Sequence, residues 1–116
     1  MLASDIDPLA VRVAGENAKH NTVGNRVRVV TAAGMDHAET RARAPYDLIV
    51  ANILAGPLVR LAPQIAPALA RNGTLVLSGL LPHQIGRVVA AYGAQGVRLG
   101  RAEQHDGWAV LELCRP

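Results

Sequence analysis

Tyr46-Asp47-Leu48-Ile49-Val50-Ala51-Asn52-Ile53-Leu54-Ala55-Gly56-Pro57 is the stretch whose reading decides the fold. Its apolar run has no polar alternation, which describes a strand buried on both faces in the middle of a parallel sheet covered by helices. Gly56 and Pro57 break the run just after Asn52, so Asn52 falls at the strand's carboxyl edge. In open α/β sheets the ligand crevice lies outside the carboxyl ends of the strands, so a carboxamide there is placed for ligand contact.

Outward from that strand, the chain alternates strands with helical patterns. Met1 to Ser4 is a short apolar strand, followed by Asp5-Ile6-Asp7-Pro8 and then Leu9, Val13, Ala14 and Ala18 at helical spacing. Asp7 is an N-cap and Pro8 suits the first helical position, where its missing N–H costs nothing. Capping leaves Asp5 unexplained. At a strand tip its carboxylate suits the two hydroxyls of a ribose, and it equally suits a solvated turn.

Asn21 to Asn25 ends the helix, and Val27, Val29 and Val30 form a second strand. Ala33 and Gly34 follow that strand's carboxyl end, where small residues would let a flat ring approach the backbone; Gly34 also reads as a turn glycine. His37 to Ala44 is polar, with one or two helical turns at most. Leu58 to Ala70 has helical spacing broken by Pro63 and Pro67, giving a kinked helix or two short ones stopped by Asn72-Gly73. Thr74 to Gly79 is another buried strand. Pro82 starts a helix whose inward face is Ile85, Val88, Val89 and Tyr92, with His83 exposed at its first turn. Val97 to Leu113 reads as a hairpin turned at Asp106-Gly107, and Trp108 as a core or rim aromatic. The expected fold is therefore α/β, mostly parallel, with a C-terminal antiparallel hairpin.

Composition narrows the function. The chain has 116 residues, half of them hydrophobic, and a net charge of +3 carried largely by eleven scattered Arg. No basic tract and only three aromatics argue against a direct nucleic-acid partner. No apolar stretch is long enough for a membrane span, and no secretory leader pattern opens the sequence. One cysteine, Cys114, reads as a buried thiol in a reducing compartment, so a cytoplasmic location is expected. The histidines at 20, 37, 83 and 105 are too scattered for a metal site. Ser4 and Ser78 lack a nucleophile elbow, and no glycine-rich phosphate loop is present. Asp5 and Asn52 remain as the polar groups at strand ends.

Asp5-Ile6-Asp7-Pro8, Glu16-Asn17-Ala18, Ala51-Asn52-Ile53-Leu54-Ala55-Gly56-Pro57-Leu58, Leu77-Ser78-Gly79-Leu80-Leu81 and Gly107-Trp108 together resemble the family of methyltransferases that modify large-subunit ribosomal protein eleven. The resemblance covers the whole chain. It implies a Rossmann-like class I methyltransferase sheet using S-adenosyl-L-methionine to methylate amino groups of lysine side chains and of the N-terminus of that ribosomal protein. By the same resemblance Asp5 binds the cofactor ribose and Ile6 packs near its adenine. Ala33 and Gly34 lie at the adenine edge, and Asn52 takes the place of the Asn in the Asn-Pro-Pro-Tyr-type motif of amino-group methyltransferases. Asn52 is thus both the catalytic and a cofactor-side candidate.

Family members carry a first strand with a Gly-x-Gly-x-Gly loop that has no counterpart in these 116 residues. That strand lies between the strand ending at Asp5 and the strand ending at Asn52, so both are expected to show unpaired edges here. The chain is expected to be the C-terminal part of a methyltransferase, impaired in activity. The alternative is a non-catalytic remnant that self-associates through exposed sheet edges. A nucleotide-binding half of an oxidoreductase is disfavoured by the missing glycine loop and the Asn-bearing strand end.

Overall fold

The computed structural model describes residues 1–116, which fall into two compact units, Met1–Ala42 and Arg43–Pro116. In the first, β1 (Leu2–Asp5) leads through Ile6 and Asp7 into α1 (Pro8–His20), and β2 (Arg28–Thr31) returns to pair with β1 in parallel. Asp7 caps α1 as the sequence predicts, its Oδ1 accepting from the Leu9 N–H at 2.9 Å with Pro8 first in the helix. The short α2 (Ala38–Arg43) follows, with His37 Nδ1 accepting from the Glu39 N–H at 3.1 Å and Glu39 paired to Arg28 across 3.2 Å.

The second unit contains the larger sheet. β3 (Tyr46–Asn52), α3 (Ala55–Ala68), β4 (Leu69–Leu80), α4 (Ile85–Gly93), β5 (Arg98–His105) and β6 (Trp108–Cys114) follow in order. The spatial order is β3-β4-β6-β5, with β3 parallel to β4 and β6 antiparallel to both β4 and β5. The hairpin turns at Asp106 and Gly107, both at positive φ, the two-residue geometry that matches strand twist. α3 is a single helix that includes both Pro63 and Pro67.

One face of this sheet holds the core. Leu75 pairs with Leu113 and Leu77 with Leu111, and all four are fully buried together with Leu58 of α3 and with Val88 and Tyr92 of α4. The opposite face, at the alternate positions, carries Leu48 and Val50, which are 58 % and 63 % exposed.

Three sequence expectations are corrected here. β3 is not buried on both faces: it is an outer strand bonded to β4 alone, so its apolar run records burial that nothing within its unit supplies. Asn72-Gly73 does not stop α3, which already ends at Ala68. It lies inside β4, where five steps from Leu69 to Thr74 face two from Tyr46 to Leu48, and turn-type residues make that bulge. Cys114 is exposed rather than buried, because β-pairing sets its alternation opposite to that of Leu113.

The α3–α4 contact is polar at one point. Tyr92 is fully buried, its hydroxyl donates to the Leu58 carbonyl at 3.0 Å, and burial pushes the phenol from 10.0 up to about 12. Between those values the unfolded chain releases a proton that the folded chain keeps. The contribution is therefore complete below pH 10 and lost as pH rises through about 12. Tyr92→Phe is expected to cost about 1 kcal/mol near neutrality and to flatten the alkaline fall, read from urea midpoints at about pH 8 and about pH 11.

Candidate functional site

Each unit presents polar groups at the carboxyl end of a parallel ladder. In the first, β1 and β2 run in register to Asp5 opposite Thr31, and the Ala32 N–H donates to the Asp5 carbonyl at 2.9 Å. Asp5 is exposed, and its Oδ1 accepts from the Asp7 N–H at 2.9 Å. That bond engages Oδ1 in the turn, and the exposed carboxylate keeps further acceptor capacity toward solvent. Asp5 thus closes the turn, as one of the two sequence readings has it.

Ile6, beside it, is 72 % exposed, an unusual position for an isoleucine in a strand-to-helix turn. Ala33 to Asp36 form a tight turn closed by the Asp36 N–H on the Ala33 carbonyl at 3.0 Å, with Gly34 at φ 60°. Gly34 therefore has a structural reason to be glycine, while Ala33 stays exposed at the same strand end as Asp5 and Ile6. An exposed carboxylate acceptor next to an apolar side chain and small residues is chemically compatible with a nucleoside.

In the second unit Asn52 is the last residue of β3 and pairs with Ser78 of β4. Beyond Leu77, β4 takes three steps to Leu80 where β6 takes two from Leu111 to Ala109, so Ser78-Gly79 is a bulge. Gly79 sits at φ 79°, and a Cβ there would fall 2.6 Å from Asn52 Oδ1 and 3.0 Å from the Ile53 carbonyl oxygen. Two acceptor oxygens therefore border one space that only glycine leaves open. Ile53, Leu54, Leu81 and Trp108 are exposed apolar residues at this same end of the ladder, since β6 runs opposite to β4 and starts there. Trp108 is thus a rim aromatic and not a core one.

Sequence reasoning placed Asn52 at a strand end but gave Gly79 no role of its own. Gly79 was visible only within the Leu77-Ser78-Gly79-Leu80-Leu81 run; its close approach to Asn52 is a product of register.

Residues 1–116 match the family described as ribosomal protein L11 methyltransferase (PrmA). The chain belongs to that family. The ribosomal protein L11 methyltransferase of Mesorhizobium japonicum is 50 % identical over 113 residues, covering 97 % of this chain and 39 % of its own length. That of Brucella suis is 47 % identical over the same length and is covered to 40 %. A crystal structure of ribosomal protein L11 methylase from Lactobacillus delbrueckii subsp. bulgaricus superposes with a TM-score of 0.88 at 27 % identity, over 98 % of this chain and 57 % of that one. The fold is the Rossmann-like methyltransferase fold, with parallel and antiparallel strands in one mixed architecture. The chain spans about two-fifths of the length of the curated family members it matches.

The two aspartates of the turn separate by role. Asp7→Ala removes the cap of α1 and is expected to cost about 1 kcal/mol, whereas Asp5→Asn keeps an acceptor for Asp7 and should stay within about 0.5 kcal/mol. Circular-dichroism melts of the two variants check this; equal losses would show that Asp5 is chiefly structural.

Proposed function

We propose that this chain provides the methyl-acceptor end and the nucleoside end of an S-adenosyl-L-methionine-dependent N-methyltransferase acting on amino groups of ribosomal protein L11. The observation that carries the proposal is Asn52, a carboxamide at the carboxyl end of β3 whose Oδ1 lies with the Ile53 carbonyl beside a residue without a side chain. Family membership supports the substrate and the cofactor.

Bound, the cofactor supplies a methyl group on a positively charged sulfur. The chain's task is then positioning. A primary amine attacks with its lone pair only when neutral and aligned with the carbon–sulfur bond. Asn52 Oδ1 and the Ile53 carbonyl accept the amine's N–H bonds and turn the lone pair outward, and neither takes up a proton. The amine, methylated, would then shed a proton to water. The Asp5 carboxylate would hold the ribose hydroxyls, with Ile6, Ala33 and Gly34 as the residues that would lie at the adenine. The lysine side chains and the N-terminal amine of the ribosomal protein are the acceptors, and the cytoplasm, where ribosomal proteins are made, is the location.

In an active methyltransferase carrying these 116 residues, Asn52→Ala is expected to lower kcat by about 10²-fold or more with little change in cofactor affinity. Methyl transfer to ribosomal protein L11 measures it, and normal turnover would overturn the role of Asn52. The 116 residues by themselves hold no glycine-rich loop for the methionine part of the cofactor. Calorimetry is expected to find no saturable binding up to about 100 μM cofactor, and micromolar affinity would contradict that.

A second reading rests on β3. Its outer edge has no strand partner, and Leu48 and Val50 are exposed, so two copies of the chain have an unblunted edge on which to pair. This makes the chain a self-associating scaffold without catalysis. Sedimentation over a hundredfold range of concentration decides between a monomer and edge-paired copies.

A further inference from the structure

We propose that Gly79 is a positioning residue for methyl transfer: the bulge it makes in β4, by leaving out a side chain, sets where the Asn52 carboxamide and the Ile53 carbonyl point. The proposal rests on the reading of Asn52 as the group that orients the amine. Three features of Gly79 converge. Its φ of 79° is in the left-handed region, its place is the extra residue of a bulge between Leu77 and Leu80, and its absent Cβ would stand 2.6 Å from Asn52 Oδ1. Bulges beside functional sites commonly re-aim a side chain, and here the re-aimed chain belongs to the neighbouring strand.

The two obstructed atoms would respond differently to an added methyl. The Ile53 oxygen belongs to the backbone and has little room to yield at 3.0 Å. The Asn52 carboxamide is the end of a side chain with two rotatable bonds, and it would swing away. An alanine at 79 therefore turns the amide oxygen out of line while leaving Asn52 present and the fold's core, which lies on the other face around Leu75, Leu77, Leu111 and Leu113, untouched. Since acceptor placement governs the reaction, a displacement of well under the length of a bond matters.

A double-mutant cycle tests this in an active methyltransferase carrying these residues, with N52A, G79A and N52A/G79A compared by kcat, KM for cofactor and side-chain amide NMR. The expected result is a kcat loss of about 10²-fold for G79A with KM for cofactor within about threefold, a moved Asn52 side-chain amide resonance, and less than about threefold further loss when G79A is added to N52A. A purely structural glycine would give equal losses in both backgrounds, and that additive result overturns the proposal, as does normal kcat in G79A. Unchanged turnover in N52A is a separate outcome that overturns the amine-orienting reading and this proposal with it. If G79A is too unstable for kinetics, a urea midpoint higher in N52A/G79A than in G79A supports the steric relation, because the φ strain and the Ile53 contact are common to both, and an unchanged or lower midpoint overturns it.

Discussion

The parallel ladder between β3 and β4 is the constraint on which the rest of the second unit depends. Leu48 to Asn52 run opposite Thr74 to Ser78 in unbroken register, so the position of the last residue on one strand is fixed by the last on the other. A slip by one residue would reverse every side chain on β3 and take Asn52 off its neighbour. β4 is able to act as that template because it is held on its other side by β6, and α3 packs against it. The bulge at Ser78-Gly79 then ends the regular ladder at the point where a ligand would need access.

Much of this was legible in the sequence wherever the cause is local. Asp7-Pro8 caps and starts α1, and Asp106-Gly107 turns the hairpin, because each signal is carried by adjacent residues whose dihedral preferences suffice. The helical face of Val88 and Tyr92 followed from spacing alone. What failed depended on partners distant in the chain. Asn72-Gly73 has the chemistry of a helix stop and of a bulge alike, and the choice was made by Arg115, whose carbonyl accepts the Asn72 N–H at 2.6 Å. Cys114 looks apolar and terminal, yet pairing register turned it outward.

The same logic applies to the candidate site. Asp5 and Asn52 were singled out because strand ends are readable from where apolar runs stop. Gly79 was not, since the reason for it is a side chain on another strand. The apolar character of β3 sits between these cases: the run correctly announced a strand, but not its place, since β3 is an outer strand with Leu48 and Val50 in solvent. Its composition and its exposure disagree.

Backbone amide hydrogen exchange along Tyr46 to Asn52, in dilute solution, tests the central claim most directly. A strand paired on one side only has every second amide bonded to its neighbour, so protection is expected to alternate along β3 while the facing segment of β4 is protected throughout. Protection of every β3 amide would show a second partner on the open edge, and protection of none would show that the ladder carrying Asn52 to Gly79 does not form; either result contradicts the account.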